Sequence, residues 1–154
     1  MRPFLLLVGT MALSACLSLE VAEPEDIPSN PGLDSYAPST GVDISKMTKM
    51  PNGIYYQDLI VGTGDPPLTE KKIVNLTFFA MLPNGFIFDR ATQQVLVDLR
   101  QVLTGFGDGM IGMRPGGTRK IAVPSPLAYG PRGAAGLGVP SNSTIVYDIS
   151  FISY

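Results

Sequence analysis

The sequence predicts an α+β fold: a five- to six-stranded antiparallel sheet that buries one face under a single short helix. Three observations point there. From Met50 onward the chain breaks into short runs rich in β-branched and aromatic residues, several alternating apolar with polar at the period of a half-buried strand. Only residues 105–112 repeat apolar side chains at helical spacing. The 17 glycines and 14 prolines among 154 residues call for many turns, more than a helical bundle tolerates.

Taken in order, the chain opens with an address. Arg2 gives a short positive start, and residues 4–12 form an apolar run of secretory-signal length, too short to cross a bilayer. Leu13-Ser14-Ala15-Cys16 resembles the bacterial lipobox, in which the cysteine is lipidated and becomes the first residue of the mature protein. The alternative is a plain signal peptide cut near Ala15, with Cys16 there by chance. Leu17 rather than Asp after the cysteine resembles an outer-membrane sorting signal, should the cell be Gram-negative. The expected divisions are a lipoprotein signal peptide at 1–15, a lipidated Cys16 with a tether over 16–45, and one folded domain at 46–154. In the tether, Glu20, Glu23, Glu25 and Asp26 alternate with Pro24, Pro28, Pro31 and Pro38 and no apolar period emerges. This composition predicts a disordered, partly extended spacer. Leu33 and Tyr36 are its only candidates for packing on the domain.

Within the domain, residues 53–60 read as a first strand and residues 61–67 as a turn-rich loop. Residues 73–82 form a longer strand, and Pro83-Asn84-Gly85 is a hairpin signal before Phe86, Ile87 and Phe88. Val95, Val97 and Leu99 share one face of the next strand. The helix over 105–112 holds at most two turns, because Pro115 and the Gly116-Gly117 pair stop it. Residues 118–123 read as a strand ended by Pro124, followed by a loop carrying Tyr129. Residues 144–154 close the chain, with Ile145, Tyr147, Ile149 and Phe151 on one face.

Composition removes several function classes. The absence of His excludes imidazole acid–base catalysis and His-ligated metals, and a single Cys leaves no intrachain disulfide and no Cys cluster. A net charge of −2 without a basic stripe argues against nucleic acid. Gly107, Gly109 and Gly112 spell G-x-G-x-x-G, but a phosphate cradle needs a full helix behind it, and Pro115 arrives three residues later.

A set of motifs then carries a resemblance. Tyr55 with Gly62-x-Gly64, Asn84-Gly85-x-x-Phe88-Asp89, Gln101-Val102-Leu103-x-Gly105-Phe106, Met113-x-x-Gly116-Gly117-x-Arg119, Val123-Pro124 with Leu127-Ala128-Tyr129-Gly130, and Ser143-Thr144-Ile145-Val146-Tyr147-Asp148 occur in one order. Together they resemble an FKBP-type peptidyl-prolyl cis-trans isomerase over roughly residues 50–154. The resemblance implies a half-barrel sheet wrapped around the short helix, with an apolar pocket between them and no cofactor or metal. It implies Asp89, Tyr129 and Phe106 as the catalytic set: Phe106 as the floor, where many members carry Trp, and Tyr129 donating to a substrate carbonyl. Phe88 and Asp89 would form one wall and Tyr147 another, with Val102, Leu103 and Ala128 completing the binding set and Val139 on a glycine-rich flap. Phe78 falls where the family usually has Tyr, whose hydroxyl holds the carboxylate at the Asp89 position, and Val95 falls where it usually has Phe.

The implied partners are proline-containing polypeptide segments, and the membrane through lipid on Cys16. The expected protein is a monomeric isomerase in the bacterial cell envelope, facing the periplasm or the exterior. The alternative is a catalytically weak FKBP-like binding or chaperone module, which the Phe78 and Val95 departures favour.

Overall fold

The computed structural model describes residues 28–154; the expected signal peptide, Cys16 and the first part of the expected tether lie outside them. Six strands form one antiparallel sheet: β1 (Thr48–Lys49), β2 (Tyr55–Ile60), β3 (Ile73–Met81), β4 (Ile87–Asp98), β5 (Gly117–Val123) and β6 (Ile145–Ser153), in spatial order β1-β2-β5-β6-β3-β4. Neighbours pair antiparallel throughout. The most thoroughly buried strands, β5 and β6, take the centre of the sheet.

Register defines two faces. One row runs Tyr56, Ile121, Tyr147, Ala80, Asp89 across five strands. It belongs to the concave face, where Ile121, Ile149, Leu76 and Val74 are fully buried. The single helix, α1 (Thr104–Met110), lies against that face with Phe106 and Met110 in the core. Its glycines set the approach: a Cβ at Gly105 would fall 2.1 Å from Val123 Cγ1, and one at Gly109 would fall 2.6 Å from Ile121 Cδ1. Of the three glycines that imitate a nucleotide fingerprint, Gly109 serves this close helix–sheet contact, whereas Gly107 lies against the Leu99 carbonyl and Gly112 takes a positive φ past the helix end; each Gly within the helix costs about 1 kcal/mol of helix propensity.

Such a helix needs external support, and Arg119 supplies it. Its guanidinium, 5% exposed, grips the Asp58 carboxylate through Nε at 2.6 Å and Nη2 at 3.0 Å. Nη1 donates to the carbonyls of Gly109 at 3.0 Å and Ile111 at 2.9 Å, at the helix C-terminus, and the cation lies 4.3 Å from the Tyr56 ring centroid. A planar fork with several donors suits this cluster where an ammonium would not.

The tether is where the structure departs most from expectation. From Pro28 onward it is folded onto the convex face, with short 3-10 turns at Pro38–Thr40 and Ile44–Lys46. Ser29 and Ser125 exchange hydrogen bonds, Asp34 accepts from Thr144 Oγ1, Ala37 N–H donates to the Pro83 carbonyl, and Tyr36 donates to Pro31 O at 2.9 Å. Beneath this strap Ala122 and Val146 are fully buried. Lys120, 4% exposed, donates to the Thr40 carbonyl at 2.6 Å and pairs with Asp148. The helix is thus not the sheet's only cover. Proline pre-extends the chain, so the strap can lie flat and satisfy its polar groups one by one without any apolar period.

A second correction concerns β4. Residues 87–98 form one continuous strand rather than two, because a register shift between Leu76↔Val95 and Phe78↔Ala91 absorbs two extra residues on β4.

Arg119→Met should lower the unfolding free energy by about 3–5 kcal/mol, since it strands the Asp58 carboxylate and two helix-end carbonyls. Urea denaturation followed by circular dichroism would show the reduced midpoint at an unchanged slope.

Candidate active site

Between α1 and the concave face lies a cavity of about 280 Å³. Phe106 reaches in from the helix and meets two sheet rings edge-on, Phe78 at 5.6 Å and Tyr147 at 4.9 Å between centroids. This aromatic trio forms the floor. Val97 of β4, with Val102 and Leu103 from the turn before the helix, closes the sides. The polar groups that line it are those of Asp89, Tyr129 and Tyr147.

Tyr129 sits in the loop after β5, between the 3-10 turns Ser125–Leu127 and Gly130–Arg132. Its ring is held edge-on by Phe88 at 6.0 Å. The hydroxyl bonds no other described residue and remains free to donate. Burial raises its pKa above the ordinary 10.0, and the Asp89 charge adds to this. Asp89 is exposed at the rim, and its carboxylate accepts the Arg90 N–H at 2.8 Å. No cluster of three His, Cys, Asp or Glu side chains that could hold a metal exists among the described residues. The site therefore offers apolar walls, neutral hydrogen-bond donors and one carboxylate. It can desolvate and orient a bound amide.

A model of the FKBP-type peptidyl-prolyl cis-trans isomerase family matches residues 64–152, a span that holds every residue lining this cavity. The chain belongs to this family. The FKBP fold is matched by a solved peptidyl-prolyl cis-trans isomerase from Pseudomonas syringae, 30% identical, with a TM-score of 0.65 over 70% of this chain and 80% of that one. "FK506-binding protein 4" of Dictyostelium discoideum is 34% identical over 112 residues, 71% of this chain and 30% of that protein. "Photosynthetic NDH subunit of lumenal location 4, chloroplastic" of Arabidopsis thaliana is 30% identical over 135 residues, 78% of this chain and 61% of that protein. The chain spans less than a third of the length of the FK506-binding relatives it matches.

Against the FKBP resemblance, the cavity brings together Phe78, Asp89, Val102, Leu103, Phe106, Tyr129 and Tyr147. Four expected residues stand outside its lining. Phe88 and Ala128 are half-buried beside it, Phe88 as the support of Tyr129. Val139 is 2% exposed and ties the flap by exchanging backbone hydrogen bonds with Ala134, at 2.8 and 3.1 Å. Val95 packs half-buried on the core, while Val97, two residues along the same face, lines the cavity in its place. The alternation of Val95, Val97 and Leu99 offered that signal, but the two-residue register shift in β4 is silent in sequence. Cys16 lies outside the described residues.

Burial also raises the pKa of Tyr147, with smaller contributions from Tyr129 and Asp89, and that of Tyr36, aided by Asp34 and Tyr55. A phenol whose folded pKa exceeds its unfolded value leaves stability intact below about pH 10 and erodes it above, because only the unfolded chain then releases the proton. Stability should fall steeply above pH 10. In an absorbance titration, part of the tyrosinate signal should appear only together with the loss of the near-ultraviolet circular dichroism.

Proposed function

We propose that the protein is a peptidyl-prolyl cis-trans isomerase that acts on X-Pro bonds of cell-envelope polypeptides. The observation that carries this reading is the cavity itself, with an aromatic floor and a free phenolic donor in its lining.

Rotation about the imide must overcome about 18–20 kcal/mol, set by resonance that places negative charge on oxygen and positive charge on nitrogen. Water favours the planar, charge-separated form. A pocket that strips water from the imide, and binds it twisted more tightly than planar, lowers the barrier with no nucleophile or base. A thousandfold acceleration requires about 4 kcal/mol of such differential binding. In this reading the Phe106 ring receives the proline, Tyr129 donates to a carbonyl flanking it, and Asp89 stands at the rim of the pocket. Phe78, Val97, Val102 and Leu103 exclude water. The family match and the solved bacterial relative support this.

One set of observations favours a second reading, an FKBP-like binding or chaperone module with weak catalysis. Phe78 has no hydroxyl to steady Asp89, that carboxylate accepts instead from the neighbouring Arg90 N–H, and one relative is named as a subunit of a larger assembly.

We assign the leader at 1–15 and Cys16 to a lipid anchor at the envelope membrane, on the lipobox-like Leu13-Ser14-Ala15-Cys16. No described helix is long and apolar enough to cross a membrane. Acyl chains on one cysteine would supply about 0.8 kcal/mol per buried CH2.

A chain beginning at Pro28 should accelerate cis-to-trans conversion of a short X-Pro peptide. Tyr129→Phe should reduce kcat/KM about fivefold to tenfold, the value of one neutral hydrogen bond, and Phe106→Ala should reduce it further. A folded chain with no acceleration over the uncatalysed rate would leave the binding module. In bacterial cells, Cys16→Ser should move the protein from the membrane to the soluble fraction; unchanged partition would dismiss the anchor.

A further inference from the structure

Tyr147 carries more chemistry than a wall requires. Its ring meets Phe106 edge-on at 4.9 Å, and the residue, third in β6, is 4% exposed. A phenylalanine would satisfy both facts. The hydroxyl is an added polar atom, and burying it without a partner is unfavourable.

That hydroxyl bonds no other described residue, yet no side-chain nitrogen or oxygen among the described residues is sealed from solvent without a partner. The two statements are compatible only if the Tyr147 hydroxyl opens on the cavity the residue lines. Register supports this. Tyr147 and Asp89 flank Ala80 on the concave face, on the strands either side of β3. At about 4.8 Å per strand spacing their backbones stand roughly 10 Å apart, and the small Ala80 side chain leaves the space between them clear. The electrostatic influence of both Tyr129 and Asp89 on Tyr147 fits a hydroxyl aimed between them. As its raised pKa keeps it protonated, it can only enter binding as a neutral donor and acceptor.

We propose that the Tyr147 hydroxyl is a second substrate-binding donor, bonding a backbone carbonyl of the proline-containing segment at the pocket floor while Tyr129 bonds one at the mouth. This rests on the reading of the cavity as a proline-segment site, and it deepens that reading. A two-donor pocket discriminates. An apolar body lacking carbonyls leaves both hydroxyls unsatisfied, whereas an extended peptide with carbonyls either side of the proline satisfies both.

The test compares the full chain with its Tyr147→Phe variant, which keeps the ring and its contact with Phe106. Two probes are titrated by nuclear magnetic resonance: a short X-Pro peptide, and toluene as a carbonyl-free occupant of the same pocket. The peptide Kd should rise about fivefold to tenfold, the share of one neutral hydrogen bond, while toluene binds as before or more tightly. In the isomerisation assay KM should rise with kcat little changed, because the bond is present in ground and transition states alike. Unchanged peptide affinity in a folded Tyr147→Phe chain overturns the proposal, as does equal weakening of both probes, which marks a structural role. Peptide binding weakened by Tyr147→Phe, alongside a wild-type chain that binds the peptide but does not isomerise it, would uphold the second donor while refuting the enzyme.

Discussion

The site depends on one buried cation. A helix of seven residues, three of them glycine, contributes little stability of its own, yet it must present Phe106 to the sheet within contact distance of two other rings. Arg119 resolves this by joining the helix C-terminal carbonyls to Asp58 and so to β2. Because β2, β5 and the helix end meet at one guanidinium, the gap between helix and sheet is held at a fixed width. The cavity is the remainder of that gap toward β4. The glycines bring the helix close, and the arginine stops it from leaving.

The sheet is covered twice, by different physics. On the concave face, apolar side chains recur with strand period and meet a helix. On the convex face, the strap covers Ala122, Val146 and Lys120 with an irregular proline-rich chain held by individual hydrogen bonds. The pairing of Lys120 with Asp148 under a backbone carbonyl satisfies a cation that would otherwise oppose burial.

This contrast explains what the sequence disclosed. The strands, the short helix, and the joint occurrence of Phe106, Tyr129, Val102 and Leu103 were legible because periodicity and motif spacing reflect local constraints. The strap was not, because the bonds that tie it to the rest of the domain join residues about 40 to 110 positions apart and leave no pattern along the chain. Lys120 and Asp148 pair on the face opposite Ile121 and Tyr147, and nothing in the sequence marks that face as covered. Val97 escaped for a related reason, since a bulge in β4 changes which valine meets the cavity without altering the alternation. The Tyr147 hydroxyl stood in plain view as part of an aromatic wall. Only the register with Ala80 and Asp89 gives it a direction.

Because the chain is bound to the domain from Ser29 onward, the strap also fixes a leash length. Eleven residues separate Cys16 from Pro28, and at about 3.3–3.6 Å per residue they span at most about 40 Å. A spacer running free to residue 45 would have allowed well over twice that reach. Were Cys16 lipidated, as proposed, the domain would work within a shell about one domain diameter deep. Polypeptides would be met as they emerge at or settle on the membrane surface, at a local concentration set by that shell, rather than deep in the surrounding compartment.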